Sequence, residues 1–284
     1  MTMEYRIQKS DLTNYLLAET LQALSACYRQ LQRPLYVVGA TARDISLRLL
    51  HVDNIPRSTL DLDVAVALQN WSEYDQLTAV LLQNGFEKAP EKQRFYFPFS
   101  NKMKYEVDIV PFGSIAEQEH VAWPPDGSPV MSVRCFNEVM GSADLVEVGG
   151  DFSFYIASLS GQFLLKLDTW QDRHLITNKD AADMVFILQN VYVAYALSRN
   201  IFPPEIDIDA EHFSVMVAGA EWMASDLKTM LSTKHRSYYS NWIFSELEKE
   251  ENSELLNDML DVADSRQYGL FHRAFFRMAQ ILEP

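Results

Sequence analysis

Two aspartates stand two positions apart in RSTLDLDVAV, residues 57–66, inside what otherwise reads as a buried strand. Leu60, Leu62, Val64 and Val66 alternate with Asp61, Asp63, Ala65 and Ala67, so a period of two puts both carboxylates on one face. Unpaired carboxylates are costly in a low-dielectric setting. A strand of this kind therefore folds stably only where a cation or a partner meets its charged face.

A second strand candidate offers a third acid. In KYEVDIVPF, Asp108 lies between Val107 and Ile109, with Glu106 two residues earlier on the same face. Strand residues two apart have α-carbons about 6.5–7 Å apart, which lets Asp61 and Asp63 grip one cation. Magnesium is usually held by one or two carboxylates plus substrate phosphates, and paired metals can clamp an in-line phosphoryl displacement. Asp61, Asp63 and Asp108 are thus candidate ligands for magnesium, with manganese as a substitute. Alternating aspartates also mark the solvated face of many antiparallel sheets, so the motif needs its context.

The surrounding pattern divides the chain. Residues 11–31 carry apolar side chains at helical spacing, Leu35–Val38 is a short apolar run ending at Gly39, and ATARDISLRLL resumes the helical period. SEYDQLTAVLLQNGF reads as a helix with Ser72 as N-cap and Gly85 as terminator. Arg94–Phe99 and Tyr105–Phe112 form a hairpin pattern, WPPDGSP is a turn or loop, and residues 130–156 read as further short strands. From about Ala157 the pattern is helical, with segments at 158–174, 178–197 and near 209–231, 238–262 and 266–282. The expectation is an α+β fold: a mixed β-sheet with flanking helices over 1–155, then a helical domain over 156–284.

Composition bounds the function. The 284 residues are 48% hydrophobic and 12% aromatic, enough for a sizeable core. A net charge of −15, from 24 basic and 39 acidic residues, disfavours broad electrostatic binding of duplex nucleic acid, while a local basic pocket stays open. No run of about 18 apolar residues and no apolar signal core at MTMEYRIQKSD is present, which reads as a soluble, cytoplasmic protein without a membrane partner. Cys27 and Cys135 form neither a disulfide framework nor a zinc motif. The six histidines lack metal-ligand spacing, and no nucleophile elbow is found.

Upstream of the paired aspartates, Gly39 ends a strand and opens a helix. Ala40, Thr41 and Ala42 are small enough for a phosphate to approach the helix N-terminus, and Arg43 follows in the first turn. Thr59 and Arg57 immediately precede the aspartates. In this order VVGATARDI, RSTLDLDVAV and EVDIVPFG resemble the nucleotidyltransferase superfamily of the DNA polymerase β type. The family turn is Gly-Ser or Gly-Gly, where this chain has Gly39-Ala40. LLKLDTWQDRHLITNKDAADMVFIL further resembles the AbiEii/AbiGii-type nucleotidyltransferases, toxins of abortive-infection toxin–antitoxin pairs.

The resemblance, spanning about 36–190, implies transfer of a nucleoside monophosphate from a nucleoside triphosphate to a hydroxyl acceptor. It makes Asp61, Asp63 and Asp108 catalytic metal ligands, with Gly39, Ala40, Thr41, Arg43 and Thr59 toward the triphosphate. Lys166, Arg173 and Lys179 would offset developing charge, and Asp183 would organise the site. It also implies RNA or tRNA as an acceptor and a cognate antitoxin as a partner. Helical spacing alone puts Lys166 and Arg173 on one face, anchored by Leu164, Leu167 and Trp170, and allows a plain set of surface ion pairs such as Lys179 with Asp183. Two other readings share the front motifs: a non-catalytic nucleotide-binding or interaction protein, and an aminoglycoside-type adenylyltransferase.

Overall fold

The structure is a computed structural model that describes residues 3–12, 14–52, 61–100, 103–199, 201–209 and 211–284. The chain forms two compact units, Met1–Leu49 with Asn54–Ser158, and Leu50–Asp53 with Leu159–Pro284. The first is a mixed sheet with helices and the second is helical, so the class is α+β with a helical C-terminal half.

In the first unit the elements run β1 (Glu4–Ile7), α1 (Tyr15–Gln30), β2 (Tyr36–Val38), α2 (Gly39–Leu49), β3 (Asp61–Ala67), α3 (Trp71–Gln83), β4 (Glu87–Lys88), β5 (Arg94–Ser100) and β6 (Met103–Phe112). They continue with β7 (His120–Ala122), β8 (Val130–Ser132), α4 (Phe136–Gly141), β9 (Asp144–Val148) and β10 (Phe152–Ile156). Among the described residues eight strands form one sheet in the order β1-β9-β10-β2-β3-β6-β5-β4, and β7 pairs with β8 separately. The pairs β1 with β9, β10 with β2 and β3 with β6 are parallel, the other four are antiparallel, and β3 lies in the interior of the sheet.

Local chemistry explains the helix boundaries. Asn14 caps α1 by accepting from the backbone N–H of Leu17 at 2.8 Å, and Leu17, Leu21, Leu24 and Tyr28 are buried from that helix. α3 starts earlier than expected from Ser72. Asn70 caps it, accepting from Glu73 N, while the Glu73 carboxylate accepts from Gln69 N just before the cap, and these two bonds fix the start. Gly85 follows the helix with φ +87°, as a terminating glycine does. The reading of 130–156 as strands is corrected at Phe136–Gly141, where α4 forms and buries Val139 and Met140.

The second unit contains α5 (Leu159–Arg173), α6 (Lys179–Ser198), α7 (Val215–Met230), α8 (Thr233–Leu247), α9 (Glu254–Val262) and α10 (Tyr268–Leu282). The helix expected over 238–262 is two helices. Glu250 has φ +51° between them, and Ser253 starts α9 by accepting from Leu256 N. The helix expected from 209 begins at Val215. α6 is long and apolar enough to cross a membrane by length and composition, but it packs against α5, α7 and α9 and buries Met184, Leu188 and Tyr195. Those contacts suit the central helix of a core. α6 and α7 approach closely at Gly219, where an added Cβ would lie 2.7 Å from Val191 Cγ1.

Candidate functional site

The order of strands builds the carboxylate face. β2 runs antiparallel to β3 with Val38 opposite Asp63, and β3 runs parallel to β6 with Asp63 opposite Asp108 and Asp61 opposite Glu106. Neighbouring strands lie about 4.8 Å apart and register partners share a face, so the four acids form a two-by-two patch. Leu62, Val64, Val107 and Ile109 are fully buried on the opposite face. Their burial pins the register, because a slip by one residue would exchange core side chains for carboxylates.

Gly39 meets this patch directly. It opens α2 with φ +69°, and a Cβ built there would fall 2.1 Å from Asp63 Oδ2 and 2.9 Å from its Cγ. Any other residue would displace the carboxylate or the turn. The Thr41 hydroxyl donates to the Asp61 carbonyl at 2.9 Å and fastens the first turn of α2 to the start of β3. Ala40 is half-buried in the same turn. The amide end of α2, which carries a partial positive charge, therefore lies beside Asp63.

Other residues singled out from the sequence are differently placed. The Arg43 guanidinium is buried and donates from Nε and Nη2 to Asp44 Oδ1 at 2.8 and 2.6 Å, an internal ion pair. Thr59 lies outside the described residues. Arg94 was not singled out. It sits opposite Asp108 on β5, donating from Nε to Oδ1 and from Nη2 to Oδ2, both at 2.8 Å. Its Nη1 reaches Glu106 Oε2, also at 2.8 Å. The Asp108 hydrogen bonds raise the Arg94 pKa above its ordinary value, and burial only partly opposes them.

In the helical unit, Lys166 and Arg173 converge on Asp180, an acid outside the sequence-predicted set, and Asp183 joins them through Lys166. Asp180 is fully buried; Arg173 donates from Nε to its Oδ2 at 2.6 Å and from Nη2 to its Oδ1 at 2.9 Å. Lys166 Nζ lies 3.1 Å from Asp180 Oδ1 and 2.7 Å from Asp183 Oδ2. The Asp183 partner is thus Lys166; Lys179 is exposed at the start of α6. His174 stacks on Trp170, with ring centroids 4.3 Å apart, and the Trp170 indole donates to Asp258 at 2.8 Å. These contacts tie α5, α6 and α9 together.

No protein-family model and no curated protein sequence matches the chain. Among solved structures, it aligns with the Thermotoga maritima CCA-adding enzyme complexed with tRNA at 14% identity and a TM-score of 0.32. The alignment covers 93% of this chain and 67% of that one. A likeness of that size carries no inference about function.

Two outcomes test the geometry. Gly39→Ala combines a left-handed backbone with the Asp63 clash, whereas Gly85→Ala has a similar backbone and open space. Each loses about 1–2 kcal/mol from conformation, and Gly39→Ala loses at least about 1 kcal/mol more in urea unfolding; equal losses would place Asp63 away from the turn.

The second concerns Asp180. Burial disfavours its charge, but the Arg173 hydrogen bonds and the Lys166 and Arg173 charges outweigh this and hold the carboxyl below its usual range. A lowered folded pKa gives stability that is present above the unfolded value of about 3.9 and lost as pH falls through the folded value. Asp180→Asn is therefore expected to cost about 3 kcal/mol at neutral pH. In urea unfolding that difference should narrow as pH falls below about 4.

Proposed function

We propose that this chain is a nucleotidyltransferase of the DNA polymerase β type, moving a nucleoside monophosphate from a nucleoside triphosphate to an acceptor hydroxyl. One observation carries the reading: a turn that only glycine can form is pressed against Asp63 in a sheet whose register aligns Asp61, Asp63 and Asp108. A solvated polar face needs no such turn. The donor set is all carboxylate oxygen, which fits a hard divalent ion such as magnesium, or manganese in its place. Bound there, the ion would neutralise phosphate charge and favour attack at the α-phosphorus.

The chain's own groups have separable tasks. Asp61 and Asp63 would hold the ion, and the amides that open α2 at Gly39, Ala40 and Thr41 would donate to phosphate oxygens. Asp108 orients the acceptor hydroxyl, or completes the ligand set once Arg94 releases one of its oxygens. In the transfer, the acceptor oxygen bonds to the α-phosphorus, the α–β bridging P–O bond breaks, and pyrophosphate leaves with that electron pair. The hydroxyl proton passes to Asp108 or to solvent. Lys166, Arg173 and Asp183 enter as parts of the ion network around Asp180.

The finer reading, an AbiEii/AbiGii-like toxin acting in the cytoplasm on RNA or tRNA and held by an antitoxin, rests on the sequence segment 164–188. A second reading, a nucleotide-binding protein without turnover, is favoured by the hold of Arg94 on Asp108. Incubation with each α-³²P nucleoside triphosphate and with RNA, protein or small-molecule acceptors separates them. The expected result is magnesium-dependent labelling that Asp63→Asn lowers by more than the 10–100-fold typical of losing a mere supporting group. Saturable nucleotide binding without labelling would favour the second reading, and equal labelling by Asp63→Asn would remove the first.

A further inference from the structure

We propose that Arg94 is a positioning residue that makes divalent-ion binding on the carboxylate face depend on an anionic ligand. The inference rests on the nucleotidyltransferase reading and adds to it a control that the paired aspartates alone do not contain.

Arg94 is a fixed competitor for the face. Its fork takes one oxygen of Asp108 with Nε and the other with Nη2, and its remaining amino group takes Glu106. Guanidinium stays charged at any working pH and presents its donors in a rigid plane, so a carboxylate held on both oxygens cannot also chelate a cation through the same edge. Two of the four acids in the patch are thus bound to one positive charge on the β5 side. The other two, Asp61 and Asp63, lie beside β2 and the Gly39 turn.

The charge acts beyond the hydrogen bonds. Arg94 is about one-quarter exposed and Asp108 less than one-fifth, so water screens the guanidinium incompletely. A divalent ion arriving on Asp61 and Asp63 of β3 meets that cation two strands away, on the far side of β6. A triphosphate changes the balance, because its own negative charge offsets Arg94 and supplies oxygens that Asp108 withholds. The protein alone should bind the ion weakly, and protein with nucleotide should bind it well.

Free Mn²⁺ is followed by electron paramagnetic resonance during titration of wild type, Arg94→Gln, Arg94→Lys and each of these with Asp63→Asn, without nucleotide and at constant ionic strength. Circular dichroism checks the fold of each variant. Arg94→Gln is expected to bind Mn²⁺ at least 10-fold more tightly than wild type, and Arg94→Lys, which keeps the charge, to stay within about threefold. Adding a non-hydrolysable nucleoside triphosphate should tighten binding in wild type much more than in Arg94→Gln.

If Arg94→Gln binds Mn²⁺ no more tightly than wild type while Asp63→Asn still weakens binding, the proposal is overturned and the metal-site reading stands. If Asp63→Asn changes Mn²⁺ binding in none of the three backgrounds, both fall.

Discussion

The contact between Gly39 and the Asp63 carboxylate is the constraint on which the candidate site depends. It demands three things together: a residue without a side chain, a left-handed backbone at the end of β2, and β3 paired so that Asp63 meets that turn. Thr41 secures the turn from the other side through the Asp61 carbonyl. The apolar face of β3 and β6 then holds the register from below, so packing in the core decides where the charges stand. Function and fold share one set of residues here, and a change of one strand residue would disturb both.

The helical unit solves a different electrostatic problem. A fully buried aspartate is unfavourable alone, and Asp180 is tolerated because Arg173 and Lys166 supply donors to both of its oxygens. Asp183 takes a further Lys166 contact. This joins α5 to α6 across a loop whose Leu175 and Ile176 are exposed, so polar bonding there complements the apolar seam of Leu164, Leu167 and Trp170. Cations that suggest phosphate binding in the sequence thus have an internal task in the fold.

Much of the architecture was legible because it follows from periodicity. The alternation at 60–67 gave the carboxylate strand, the change of period near 157 gave the helical half, and Gly39 between an apolar run and a helical one gave the turn. What escaped depends on non-local pairing or on caps. The Asn70 cap, with Glu73 bound back to Gln69 N, overrode Ser72. Arg94 escaped for a clearer reason. Pairing outward from Ser100 opposite Met103 would set Arg94 against Ile109, on the apolar face, but a bulge between Pro98 and Ser100 shifts the register by one and brings it to Asp108. Proline lacks the donor for a regular ladder at that point, which fits a break there, yet a sequence does not reveal which way the register moves. The clamp on Asp180 likewise needs the relative rotation of α5 and α6.

The most direct measurement is a crystal structure with Mn²⁺ and a non-hydrolysable nucleoside triphosphate, with manganese located by its anomalous signal. The carboxylate face predicts a peak at ligand distance, about 2.1–2.2 Å, from oxygens of Asp61 and Asp63, with triphosphate oxygens against the amides at Gly39. Manganese away from both aspartates, or a triphosphate bound with no contact to the Gly39 turn, would contradict it.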